Sequence, residues 1–205
     1  MRMSGFARRE QLVAVGRATF ASKGFDGTSV EEIASQAQIS KPVIYEHFGG
    51  KEGLYAVIVD REVHALMSAL VAALDSEKRP RLILEDSALA LLTYIESNSD
   101  GFRILVRDAP QNSTSGSFSS LMGDIAIKVE HLLANQFSQA HMDPKWAPLY
   151  AQMLVGLIAQ VGQWWLDERR MSKEEVASHV VNLAWNGMHN LHPSPVLLTS
   201  TDEAN

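Results

Sequence analysis

The chain has 205 residues, no cysteine and a formal charge of −6. That length can bury a core as one large domain or two small ones, while the absence of Cys excludes disulfides, thiolate metal sites and a cysteine nucleophile and suits a reducing cytoplasm. Net acidity argues against phosphate binding, but residues 1–25 carry Arg2, Arg8, Arg9, Arg17 and Lys23 against Glu10 alone, whereas residues 62–205 carry ten basic and seventeen acidic side chains. So short a window also fluctuates in charge by chance, and charge by itself decides nothing.

Gly16 lies inside the first helix, where Ala is more favourable by about 0.5–1 kcal/mol. Thr28 stands three positions before Glu31, a Thr-x-x-Glu capping box ahead of the periodic apolar residues Val30, Ile33, Ala34 and Ala37. Gln38 and Ile39 make a break, and Ser40 offers a second N-cap oxygen. Pro42 falls in the first turn of the next helix, where a missing N–H does no harm. Ile44 and Phe48 share one face of that helix, while Lys41, Pro42 and Tyr45 project elsewhere and have no evident apolar partner. A short helix with an apolar back and such a front fits the recognition helix of a helix-turn-helix.

Beyond Leu54 the pattern is helical throughout. Residues 51–74 form a long amphipathic stretch with Leu54, Val57, Ile58, Leu66, Leu70 and Leu74 at three- and four-residue spacing. A second run covers Leu82 to Ser97, Asp100 and Gly101 mark a turn, and Phe102 to Ala109 reads as a short helix stopped by Pro110. Residues 111–117 form a polar loop. Helices resume over 118–140, 146–170 and 173–191, the last opened by a Ser172/Glu175 capping box. The tail 193–205 reads as disordered. The expected fold is all-α: a three-helix helix-turn-helix domain over 1–50 and a larger bundle of roughly six helices over 51–192.

Enzymatic motifs are missing. There is no Gly-x-Gly-x-x-Gly, no Walker spacing around Gly49-Gly50-Lys51, no Gly-x-Ser-x-Gly and no His-Glu-x-x-His. His189 and His192 are three apart, but a pair near a frayed helix end reads as solvated surface, so neither metal nor cofactor is expected. No basic start with an apolar stretch behind it suggests a signal peptide, and no apolar segment reaches the ~20 residues of a membrane span. The expected location is the cytoplasm. Residues 149–166 are apolar on more than one face and punctuated by Gly156, Ala159 and Gly162, so more than one neighbour must cover them.

The first ~55 residues resemble the DNA-binding domain of the tetracycline-repressor (TetR) family. The resemblance rests on Phe20, Gly24 and Phe25, on the Thr-Ser-Val-x-x-Ile-Ala segment from Thr28 to Ala34, on the segment from Ser40 to Phe48, and on Lys51 to Leu54. Gln38 replaces a usual Gly in the turn and must accept a left-handed backbone if the turn is kept. The resemblance implies a double-stranded DNA operator as partner, contacted by Thr28, Ser40, Lys41, Pro42, Val43, Tyr45, His47 and Lys51. Lys41, Pro42 and Tyr45 face base edges, and Thr28, Ser40, His47 and Lys51 hold phosphates. It further implies a homodimer through the last two long helices, although an ordinary internal core would show the same apolar pattern. Two heads spaced by about one DNA turn read a palindrome.

Residue types alone suggest an effector cavity lined by Met67, Tyr94, Phe102, Ile104, Leu105, Met122, Ile125, Val129, Met153 and Trp164, with Arg103 and Arg107 as charged anchors. The same stripe would equally fill a plain core. The runs Gly101–Leu105 and Trp164–Leu166 resemble those of regulators that sense fatty acyl thioesters; a drug-like hydrophobic effector is equally compatible. The function expected is that of a ligand-responsive repressor released from a palindromic operator by a small hydrophobic effector. The competing reading is a helical ligand-binding or interaction protein that binds no operator.

Overall fold

The computed structural model describes residues 4–74, 77–107 and 118–197. Nine α-helices and one 3-10 turn account for its regular structure, with no strand among the described residues. The order is α1 (Gly5–Lys23), α2 (Val30–Gln36), α3 (Lys41–Phe48), α4 (Lys51–Ala73), α5 (Pro80–Ser97), α6 (Ser99–Val106), α7 (Phe118–Gln139), α8 (Ala147–Asp167) and α9 (Lys173–His189), with the 3-10 turn at Pro144–Trp146. The all-α expectation holds. Residues 111–117, expected as a polar loop, and 198–205 of the tail lie outside the described residues; 193–197 form no regular element.

Helices α1, α2 and α3 form a three-helix head on the N-terminal end of α4. Phe20, Phe25 and Tyr55 make its aromatic centre, with ring centroids 5.0 Å apart for Phe20–Tyr55 and 4.9 Å for Phe25–Tyr55. Ile33, Ile44 and Leu54 are fully buried around them. Gly16 has its reason here. A Cβ at that position would lie 2.9 Å from Leu54 Cδ2 and 3.1 Å from Ile58 Cδ1, so the bare backbone lets α1 approach α4.

The turn between α2 and α3 is left-handed at Gln38, φ 55°, as the missing glycine required. Ile39 N–H closes it by donating to Ala34 O at 3.0 Å, the six-to-one bond of a Schellman ending. The cap of α2 differs from expectation by one residue. Ser29, not Thr28, accepts from Glu32 N–H at 3.1 Å. Thr28 is buried, and its hydroxyl donates instead to Gly24 O at 2.7 Å, which tethers α2 to the end of α1.

In the body, α4 packs against α5, α6 and α7, while α7 pairs with α8 and α5 with α9. Ser172 and Glu175 form the expected reciprocal box at the start of α9, 3.1 and 2.8 Å. Helix α6 starts at Ser99, so Asp100 and Gly101 sit in its first turn rather than in a turn before it. Gly101 suits that place because a Cβ there would stand 2.0 Å from Glu62 Oε2. No helix among the described residues is long and apolar enough to cross a membrane.

Candidate nucleic-acid interface and effector cavity

Ile44 anchors α3 inward with no exposed surface, and this turns Lys41, Pro42 and Tyr45 to solvent, Tyr45 with 56% of its surface exposed. Val43 is half-buried against the head core. Ser40 caps α3 in an extended conformation without a side-chain capping bond, so its exposed hydroxyl is not committed to the helix. Lys41 reaches Glu31 at the start of α2, and this ammonium holds the Glu31 carboxyl below its ordinary range. The resulting surface is a groove-sized helix presenting a cation, an apolar ring and a phenol. It can read base edges.

The expected phosphate contacts divide. Ser40 faces out, and His47 is half-buried with its carbonyl accepting from Arg9 Nη1 at 2.7 Å. Thr28 and Lys51 work inward. Lys51 Nζ donates to Phe25 O and Thr28 O, 3.0 and 3.1 Å, and sits 4.2 Å above the Phe25 ring. Arg9 is likewise held, with its guanidinium 4.4 Å over Phe48. The sequence signals basic residues but not which of them the fold uses internally, because carbonyl partners are invisible in a residue string.

A cavity of about 290 Å³ lies in the body at the end farthest along α4. Leu70 of α4 and Leu74 at its C-cap, Ile83, Leu84 and Leu91 of α5, and Leu154, Ile158 and Ala159 of α8 form apolar walls. Helix α7 supplies Met122, Ile125, Val129 and Leu133, then Asn135, Gln136 and Gln139. Lys78 also lines it and is paired with Asp86 at 2.6 Å. Apolar walls with a few polar groups at one end suit an amphiphilic small molecule.

Of the side chains expected to line an effector cavity, Met122, Ile125 and Val129 line this one. Tyr94 and Phe102 do not; they are packed solid beneath it, 6.4 Å between centroids, and Met67 packs against the same core. Arg103 pairs with Asp167 at 2.6 Å, and Arg107 reaches Phe20 O at 3.4 Å. Met153 and Trp164 lie on the outer face of α8, 54% and 48% exposed. Leu149 lies on that face as well, and Leu183 is exposed on α9; Gly156 and Gly187 have open space where a Cβ would stand. The wall residues of α4, α5 and α8 escaped sequence reasoning. Their three- and four-residue spacing marks an inward face, and that face looks the same whether it meets atoms or a void. Among the described residues no three His, Asp or Glu side chains gather as a metal site.

Residues 12–58 match the family described as bacterial regulatory proteins, tetR family. Residues 69–194 match the tetracyclin repressor-like C-terminal domain. The chain is 27% identical over 199 residues to the HTH-type transcriptional activator FasR of Mycolicibacterium smegmatis, covering 90% of this chain and 84% of that protein. A TetR-like transcriptional regulator from Rhodococcus sp. RHA1 superposes with a TM-score of 0.78 at 27% identity, over 93% of this chain and all of the other (100%). AibR, solved in complex with isovaleryl coenzyme A and operator DNA, shares the fold at a TM-score of 0.70 and 18% identity, over 86% and 97% of the two chains.

Proposed function

The chain belongs to the tetR family of bacterial regulatory proteins, and from that premise we propose a cytoplasmic homodimeric repressor that a hydrophobic effector releases from a palindromic operator. It is a DNA-binding transcriptional regulator and not an enzyme. The head, residues 1–50, reads the operator through Lys41, Pro42, Val43 and Tyr45, with Ser40 and His47 at the phosphates. The body, residues 51–192, holds the effector and the partner subunit. One observation carries the reading: a cavity of about 290 Å³ with apolar walls opens in the body that carries that head. The effector we favour is an acyl thioester whose chain enters between α5, α7 and α8. AibR, similar in fold, holds isovaleryl coenzyme A, and this supports that class. The outward apolar seam of Leu149, Met153, Trp164 and Leu183 is the proposed twofold interface, since so much exposed apolar surface on adjoining helices calls for a partner.

Mobility-shift titration against the intergenic DNA upstream of the chain's own gene tests the reading. A retarded complex that long-chain acyl-CoA dissolves supports it. No complex with any such fragment returns the chain to a helical carrier or interaction protein. FasR is described as an activator, so activation is the second reading of the same site. In vitro transcription from the bound promoter separates the two, because repression lowers the transcript and activation raises it.

A further inference from the structure

Where head meets body, the chain buries a charged cluster that neither base reading nor the cavity uses. Glu62 of α4 is only 8% exposed. Its Oε1 lies 3.1 Å from Nε of Arg17 in α1, and its Oε2 accepts a 2.6 Å hydrogen bond from the Tyr94 hydroxyl in α5. Arg17 Nη2 donates to Asn98 Oδ1 at the α5–α6 corner, 3.2 Å. Gly101 of α6 closes the site, since any Cβ there would collide with the carboxylate. Four helices converge on one acid.

Burial, and then the Glu62 carboxylate, push the Tyr94 phenol far above its ordinary range, so it remains a protonated donor. Arg17 Nε is buried and close to Glu62 yet makes no aligned hydrogen bond. The pair therefore attracts across α1 and α4 by charge. Buried ion pairs recover their desolvation cost poorly, which makes this one weak evidence for stability and better evidence for a specified arrangement. A chain of aromatic contacts leads from the cluster to α7. Tyr94 meets Phe102, and Phe102 meets Phe118 edge-on at 5.3 Å; Phe118 opens α7, the helix that carries Met122 and Ile125.

Resting on the regulator reading above, we propose that Glu62 is the positioning residue that sets the angle of the reading head, holding Arg17 of the head and Tyr94 of the body at once. A ligand that displaces α7 reaches this acid through Phe118, Phe102 and Tyr94. Spatial continuity is not coupling, so the test reads head orientation itself.

The cysteine-free chain accepts spin labels at Ser35→Cys in α2 and Lys128→Cys in α7, both exposed. Doubly labelled protein is diluted into excess unlabelled chain, so that each assembly carries one label pair, and pulsed dipolar spectroscopy gives the head-to-body distance distribution. The parent is expected to show one narrow distribution. Glu62→Gln, Tyr94→Phe and Arg17→Gln should each widen it about twofold as further head orientations become populated. Arg17→Lys, which keeps the charge, should restore most of the narrowness. Lys173→Gln, which removes only the surface pair with Glu96, should change nothing. Tyr94→Phe deletes a single oxygen and keeps the ring, so it remains informative if Glu62→Gln fails to fold. Superimposable distributions in the parent, Tyr94→Phe and Arg17→Gln, with only a lower melting temperature, overturn the proposal. A parent that binds no operator would sink the regulator reading instead, and the label distances would be unaffected.

Discussion

The head–body junction and the distal half of the body use the same apolar residue types and end in opposite states. At the junction Leu54, Ile58 and Phe102 have no exposed surface, and Gly16 and Gly101 remove side-chain bulk so that helices meet closely. In the distal half Leu74, Ile83, Leu84, Leu154 and Ile158 line a cavity of about 290 Å³. Close-packed interiors transmit displacement, whereas hollow ones absorb a guest. A regulator needs both properties in one chain, and here they are separated along α4. The helix begins at Lys51 under the reading head and brings Leu70 and Leu74 to the cavity wall. A cavity placed directly under the head would let the effector loosen the packing that must carry its signal.

Truncation should expose that contrast most strongly. Phe102→Ala, within the solid region, should destabilise the chain by about 3–5 kcal/mol in denaturant unfolding, whereas Met122→Ala, already facing empty space, should cost well under half as much because fewer contacts are lost. Equal losses at the two sites would erase the distinction. Filling the void is the converse test. Ile158→Trp should lower acyl-CoA affinity at least ~10-fold, about 1.4 kcal/mol, with operator affinity unchanged by mobility shift. A parallel loss of operator binding would mean that the cavity and junction are not separate.

Smaller effects belong to the reading head. Lys41→Ala should cut discrimination by about 1–3 kcal/mol at a single base pair when scored against point-mutated operators. A uniform loss across all sequences would reassign Lys41 to the phosphates. Lys51→Ala should act mainly on stability, by about 1–2 kcal/mol, through the freed carbonyls of Phe25 and Thr28. If instead the salt slope of operator binding falls by about 1 per contact, the ammonium turns to the phosphates when DNA arrives. The least effect is expected from the surface pair of Glu10 and Arg61, joined by two bonds of 2.7 and 2.8 Å. Arg61 lowers the Glu10 pKa from its ordinary 4.5, so this pair's contribution is full above that value and is lost as pH falls through the lower folded value. Glu10→Gln should lower the melting temperature slightly at neutral pH and leave it unchanged in acid, where the pair is already lost.

Local chemistry made much of the head legible. Ser40, Pro42 and the Ile44–Phe48 face mark α3, Ser172 and Glu175 mark the start of α9, and Gln38 was required to be left-handed. Choices that depend on tertiary partners were not legible. Thr28 and Ser29 are both competent caps, and the pull of Gly24 O on Thr28 selects Ser29. Gly101 reads as a turn residue until Glu62 is seen beside it. Tyr94 and Phe102 have the composition of a ligand pocket, yet the space around them is filled, while plainer Leu and Ile positions border the cavity. An apolar side chain reports that it leaves water but not what it meets.

Under the proposed function, a ligand in the distal cavity and DNA on the head oppose one another through one structure. Calorimetric titration of acyl-CoA into the protein, free and saturated with operator, tests this most directly, because coupling between two sites is reciprocal. Ligand binding to the operator complex should be weaker by the same factor by which the ligand weakens operator affinity, typically about 5–150-fold. Equal ligand affinities in the two titrations would contradict it, even for a protein that binds both.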